Sequence, residues 1–139
     1  MDNFLWRLPV YAAALWWGSL TTIGFLVVPL LFMHLPTPAL AGGMAATLFT
    51  AQTWMSVACG GILLLTSTSK QASAPAQRAH DAIVFILLGM LLALLVEFAV
   101  APRIVTRTNL KLWHSVGSVM YLVQWLCAAI VFWRITPKQ

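Results

Sequence analysis

The stretch Asp81–Arg103, DAIVFILLGMLLALLVEFAVAPR, decides the fold. Between its two bracketing charges lies a single ionisable residue, Glu97. As an α-helix the bracket spans about 33 Å, close to the ~30 Å hydrocarbon core of a bilayer. Residues 82–101 therefore read as a membrane span. A carboxylate inside such a run is costly unless something meets it. Pro102 and the basic residues Arg103 and Arg107 follow soon after, which makes them the first candidates.

Working outward, three further runs have the same character. Residues 8–33 carry no charge from Leu8 to Phe32. Pro9 suits a helix's first turn, and Pro29 predicts a kinked or loosened end. Ala39-Leu40-Ala41 resembles a signal-peptide cleavage site, but such peptides hold only about 7–15 apolar residues. We therefore expect a retained span. His34-Leu35-Pro36-Thr37-Pro38 stops one helix and starts another. The run at 39–66 is long for one crossing, so its start lies flat or tilts. Its small residues Ala41, Gly42, Gly43, Ala45 and Ala46 suit close helix approach, as in Gly42-x-x-x-Ala46. Gln52, Ser56 and Cys59 recur at helical spacing and are expected to face protein. Residues Ser67 to His80, with Lys70, Pro75 and Arg78, read as a flexible aqueous connection. Residues Arg103 to Lys111 form a basic turn before a fourth run at 112–133. Trp113 and Trp133 would stand about 30 Å apart on that helix, as belt anchors at opposite interfaces.

Composition agrees. The chain has 139 residues, 61% hydrophobic and 8% charged, where a soluble domain averages about 25% charged. The net charge of +5 is scattered among ends and connections, with no basic stripe interleaved with aromatics, so no nucleic acid is expected. Cys59 and Cys127 fall within apolar runs and read as small hydrophobes. Trp16, Trp17, Trp54 and Trp125 read as bundle filling or interface anchors. No Gly-rich phosphate loop and no nucleophile–base spacing argues for catalysis. The expected fold is all-α: an integral membrane four-helix bundle forming one transmembrane domain over residues 1–139. Its partners would be the lipid bilayer and further copies of itself, a homo-oligomer built on small-residue helix faces.

Four crossings place both termini on one side. Arg7, Lys70, Arg78, Arg134 and Lys138 lie there, against Arg103, Arg107 and Lys111 opposite. The excess favours cytoplasmic termini in a bacterial inner membrane. Phe25-x-Val-x-Pro29 and Phe98-x-Val-x-Pro102 repeat one pattern near the exits of the odd-numbered helices. Trp54-x-Ser-Val and Trp113-x-Ser-Val repeat another in the even-numbered ones. The offsets are 73 and 59 residues, so two parallel hairpins with a length change and chance similarity both stay open.

This topology gathers His34, Glu97, Arg103, Arg107 and His114 at the outer side. His114, Ser118, Tyr121 and Trp125 share one face of the fourth helix. The expected pocket comprises Glu97, Arg103, His114, His34, Tyr121 and Ser118. Three readings compete. Glu97 pairs structurally with Arg103 or Arg107. Alternatively, His34 and His114 ligate copper or haem, with Met33, Met44 and Met55 as soft ligands suited to Cu(I). In the third, Glu97 is a titratable relay for a proton or small solute.

Trp17-Gly18-Ser19, Gly24-Phe25-Leu26-Val27-Val28-Pro29-Leu30-Leu31-Phe32, Ala41-Gly42 and Leu48-Phe49 resemble a family of short bacterial four-helix membrane proteins labelled as a domain of unknown function. Glu97 with Pro102-Arg103, and Leu112-Trp113-His114-Ser115-Val116-Gly117-Ser118-Val119-Met120-Tyr121-Leu122, extend the likeness over nearly the whole chain. The family resembles the group named after human transmembrane protein 205 and, more distantly, the copper-resistance protein D (CopD)-like superfamily. The resemblance implies an inner-membrane four-helix protein and supplies no activity. Its relatives place a Gly where Ser115 stands here. Copper- and haem-binding relatives use His ligands on several helices, for which this chain offers His34 and His114.

Overall fold

The computed structural model describes residues 2–68 and 73–136, with side chains from Trp6 onward. Lys70 and Lys138, both counted in the charge bias, lie outside the described residues. Among those residues the chain is helical throughout, without strands. Four helices are long and apolar enough to cross a membrane: Trp6–His34, Pro38–Ser67, Ile83–Val105 and Leu110–Ile135. Helix is the economical choice in lipid because every backbone polar group is then satisfied within its own segment.

The helix ends follow from local chemistry. Thr37 caps the second span, its hydroxyl accepting from the Leu40 amide at 3.3 Å, with Pro38 in the first turn. Proline there removes an amide that would have no partner anyway. Between the third and fourth spans, Arg107 and Asn109 turn the chain with φ of 55° and 45°. The connection read as flexible contains a further short helix, Ala74–Asp81, whose Ala76 and Ala79 are buried. Ser73 caps it by accepting from the Ala76 amide, and Pro75 stands in its first turn. Pro9 also departs from expectation. It lies inside the first helix, which begins at Asp2, and it is buried.

The four spans form a closed ring, each packed against its two sequence neighbours and the fourth against the first. The short helix packs on the first, second and fourth spans and covers the end that holds the termini. Basic side chains finish that end. Arg78 Nη1 donates to the Ile135 carbonyl at 2.9 Å, and Arg134 Nη1 donates to the Asp81 carbonyl at 3.2 Å. Both meet carbonyls at helix C-termini, where cations are favoured. The core leans the same way: Ala12, Ala13, Trp16, Leu63, Ala79, Ala82, Ile86, Val131 and Ile135 are buried. At the opposite end, residues 105–112 are exposed throughout. The bundle is packed tightly at its terminal end and open at the other.

Glycines mark the close approaches, since lipid offers helices no hydrophobic drive and contact depends on fit. A Cβ on Gly89 would stand 2.8 Å from the Trp16 ring, one on Gly117 would stand 3.3 Å from Val100, and one on Gly60 would overlap Met90. The Gly42-x-x-x-Ala46 spacing is not used within the chain. Nothing lies within 4 Å of a Cβ on Gly42 or Gly43, and Ala46 is exposed. Cys59 and Cys127 are free and buried.

Both odd-numbered spans contain one wide π-turn, Ile23–Val27 and Val96–Val100. Each precedes a proline, and each covers the Phe-x-Val repeat seen in the sequence. Proline lacks an amide hydrogen, and its ring collides with the carbonyl four residues back. The chain answers with longer bonds: the Val28 amide donates to Ile23 O, and the Ala101 amide donates to Val96 O. The Trp-x-Ser-Val repeat has no such counterpart. Ser56 is buried, whereas Ser115 is exposed and donates to Lys111 O.

Candidate functional site

Glu97 is the second residue of the π-turn Val96–Val100 in the third span. An extra residue in the turn re-aims the side chains around it, which is why π-turns recur at functional positions. Here the turn delivers a half-buried carboxylate to the second span. Thr50 Oγ1 donates to Glu97, lying 2.9 Å from Oε1 and 3.1 Å from Oε2. One hydroxyl thus sits astride both carboxylate oxygens.

The expected Arg103 partner goes elsewhere. Its guanidinium lies 4.3 Å from the centre of the Trp113 ring, and its Nη1 donates to Ala99 O at 3.3 Å. Arg103 is exposed and lies more than a helical turn past Glu97. No ion pair joins Glu97 to Arg103 or Arg107 among the described residues.

The remaining expected pocket residues divide. His34 is exposed at the end of the first span, its Nδ1 3.0 Å from its own helix's Leu30 carbonyl. His114 and Ser118 are exposed on the fourth span, where Ser118 donates to the His114 carbonyl at 2.8 Å. The order of spans puts these residues at the same end of the bundle. No hydrogen bond joins any of them to Glu97. Tyr121, on the same helix face but deeper, turns to the first span. Its hydroxyl donates to Leu20 O at 2.7 Å, and its ring occupies the space where Gly24 lacks a side chain. Gly24 is the second residue of the other π-turn, the counterpart of Glu97. Trp125 continues that face and donates to Thr21 Oγ1 at 2.9 Å. The shared face read from spacing is therefore closed against the first span in its deeper half and open only at His114 and Ser118.

For copper or haem the donors do not assemble. Among the described residues no three of His, Cys, Asp and Glu come together. Met33, Met44 and Met55 are 74%, 51% and 38% exposed, on outward faces. The described residues do not fit a resident metal.

A second polar cluster lies in the middle of the bundle. Gln52 Nε2 donates to Ser19 Oγ at 3.0 Å and to Ser56 Oγ at 3.4 Å. Gln124 Nε2 donates to Ser56 Oγ at 3.0 Å. Gln52, Ser56 and Gln124 are buried. The spacing of Gln52 and Ser56 predicted that they face protein, and they do. Gln124 and Thr50 are not among the residues that the sequence marks for a site. Gln124 stands three residues past Tyr121, on the inward face, a signal the helical period offers. Thr50 carries no such signal, being one of several hydroxyls along an otherwise apolar helix.

An all-helical chain with four candidate spans defines a multi-pass membrane protein. The chain belongs to the family described as Domain of unknown function (DUF4149), which matches residues 11–112. The match includes Glu97, Thr50 and both π-turns, and stops before His114, Tyr121 and Gln124. No curated protein and no solved structure matches the chain.

Proposed function

We propose that this is a non-enzymatic inner-membrane protein in which Glu97 takes up and releases a proton or small cation from the outer end of the bundle. One observation carries the reading. The carboxylate sits within a membrane span and is met by a hydroxyl rather than by a base. A carboxylate at such depth calls for a positive partner. With Arg103 turned to Trp113, the partner that remains is one that comes and goes. Exposed Arg103, Arg107, His114 and His34 stand at the same end of the bundle. Cytoplasmic termini follow from the basic-residue bias, and a second copy would lie against the unused Gly42 and Ala46 face. The likeness to the transmembrane protein 205 group and the CopD-like superfamily, read from motifs, is consistent with a small membrane bundle and adds no activity.

The test is labelling by a hydrophobic carbodiimide, which modifies protonated carboxyl groups in lipid. In nanodiscs Glu97 should be modified, with labelling lowered by raised pH or by added Na⁺ or K⁺, and absent in Glu97→Gln. No labelling, or labelling indifferent to pH and to both cations, contradicts the reading. For orientation, a cysteine placed at Thr108 should react with an impermeant reagent in intact cells. Reaction only after lysis reverses the topology.

A further inference from the structure

The mid-bundle cluster carries an inference independent of Glu97. The Ser19 hydroxyl donates to Trp16 O at 3.0 Å, and the Ser56 hydroxyl donates to Gln52 O at 2.9 Å. Both hydroxyl hydrogens are thus committed to backbone, and the two oxygens have only lone pairs to offer. The Gln52 amide must therefore turn its NH₂ group towards them, as it does. That fixes the direction of its oxygen. Gln52 is 3% exposed, and its Oε1 is buried with no hydrogen-bond partner. Trp16 is fully buried, and its Nε1 is also without a partner. One orphan accepts and the other donates.

Their placement is related. Trp16 reaches diagonally across the ring of helices to Gly89 on the third span, beside Cys127. The Gln124–Ser56 bond crosses the other diagonal, from fourth span to second. Cys127 and Gln124 are three residues apart, as are Trp16 and Ser19. The residues that carry the indole layer and the amide layer are therefore neighbours along the helices, offset by a backbone rise of about 4.5 Å. A direct N–H···O bond covers only ~2.9 Å, whereas two bonds through one water cover about 5–6 Å. A buried water takes two to four polar partners of this kind. Trp17 Nε1 is likewise unpartnered, but its ring stacks on Phe132 and tilts against Trp125.

We propose that the bundle binds one water molecule at its centre, accepting from Trp16 Nε1 and donating to Gln52 Oε1. This joins the first and second spans at mid-depth.

The experiment is nuclear magnetic resonance of perdeuterated, ¹⁵N-tryptophan-labelled protein in nanodiscs, the Trp16 indole signal being assigned as the one lost in Trp16→Phe. The indole proton of Trp16 should show a cross-peak to water of Overhauser rather than exchange sign. Gln52→Met should abolish it, and Gln124→Met, which leaves both orphans in place, should retain it. A wild-type Trp16 indole without that cross-peak overturns the proposal, and so does a cross-peak that survives Gln52→Met. Should Gln52→Met fail to fold, the wild-type spectrum still decides.

Discussion

The two π-turns are the same backbone device used in opposite ways. The second residue of each lies five positions before a proline, in an odd-numbered span, and faces an even-numbered span. At Gly24 the position is empty, and Tyr121 fills it, donating to Leu20 O. Phe49 closes on the Tyr121 ring edge-on, with centroids 5.3 Å apart. At Glu97 the position carries a charge, and Thr50 meets it with a single hydroxyl. The turn itself does not make a site. What the neighbouring helix brings to it decides whether it becomes a packed joint or a half-buried carboxylate met by one hydroxyl.

The strongest way to break this comparison is to fill the joint. Gly24→Leu forces a side chain into the Tyr121 ring and should destabilise the bundle by about 1–3 kcal/mol, read from unfolding in mixed micelles. Tolerance without loss would show that Tyr121 does not plug the turn. Next comes the shared amide acceptor. Ser56→Ala strands amide hydrogens of Gln52 and Gln124, and should cost about 1–2 kcal/mol by the same measurement.

Smaller effects sharpen the contrast. Tyr121→Phe keeps the plug and removes only the bond to Leu20, so a loss of about 1 kcal/mol is expected. Glu97→Gln should change stability by less than about 1 kcal/mol, because an amide oxygen can still accept from Thr50, while carbodiimide labelling disappears. A large loss of stability there would make Glu97 a structural residue. Smallest of all is Asp81→Asn, within about 0.5 kcal/mol. Arg134 bonds the Asp81 backbone carbonyl, which the substitution leaves intact.

The spans were legible in the sequence because lipid imposes the same demand on every residue of a crossing. Hydropathy and length alone placed four of them. The Phe-x-Val-x-Pro repeat also carried real information, since a proline deep in a helix must disturb the bonds before it. The inward direction of Gln52 and Ser56 followed from spacing. Other features were hidden for physical reasons. The helix at Ala74–Asp81 reads as a loop because it is short and polar and buries only two alanines. Charge alone nominates Arg103 or Arg107 as the partner of Glu97, and the structure gives it Thr50 instead. A long side chain with an aromatic neighbour at the interface has a better place to go. A threonine on a distant helix leaves no mark that sequence reasoning can separate from its neighbours.

The most direct measurement compares carbodiimide labelling of Glu97 in wild type, Thr50→Val and Arg103→Gln at one pH. Removing the hydroxyl that sits astride both carboxylate oxygens should speed labelling several-fold in Thr50→Val, while Arg103→Gln should match wild type. Acceleration in Arg103→Gln with none in Thr50→Val would mean that Glu97 is held by a resident base, and that nothing mobile is needed to balance it.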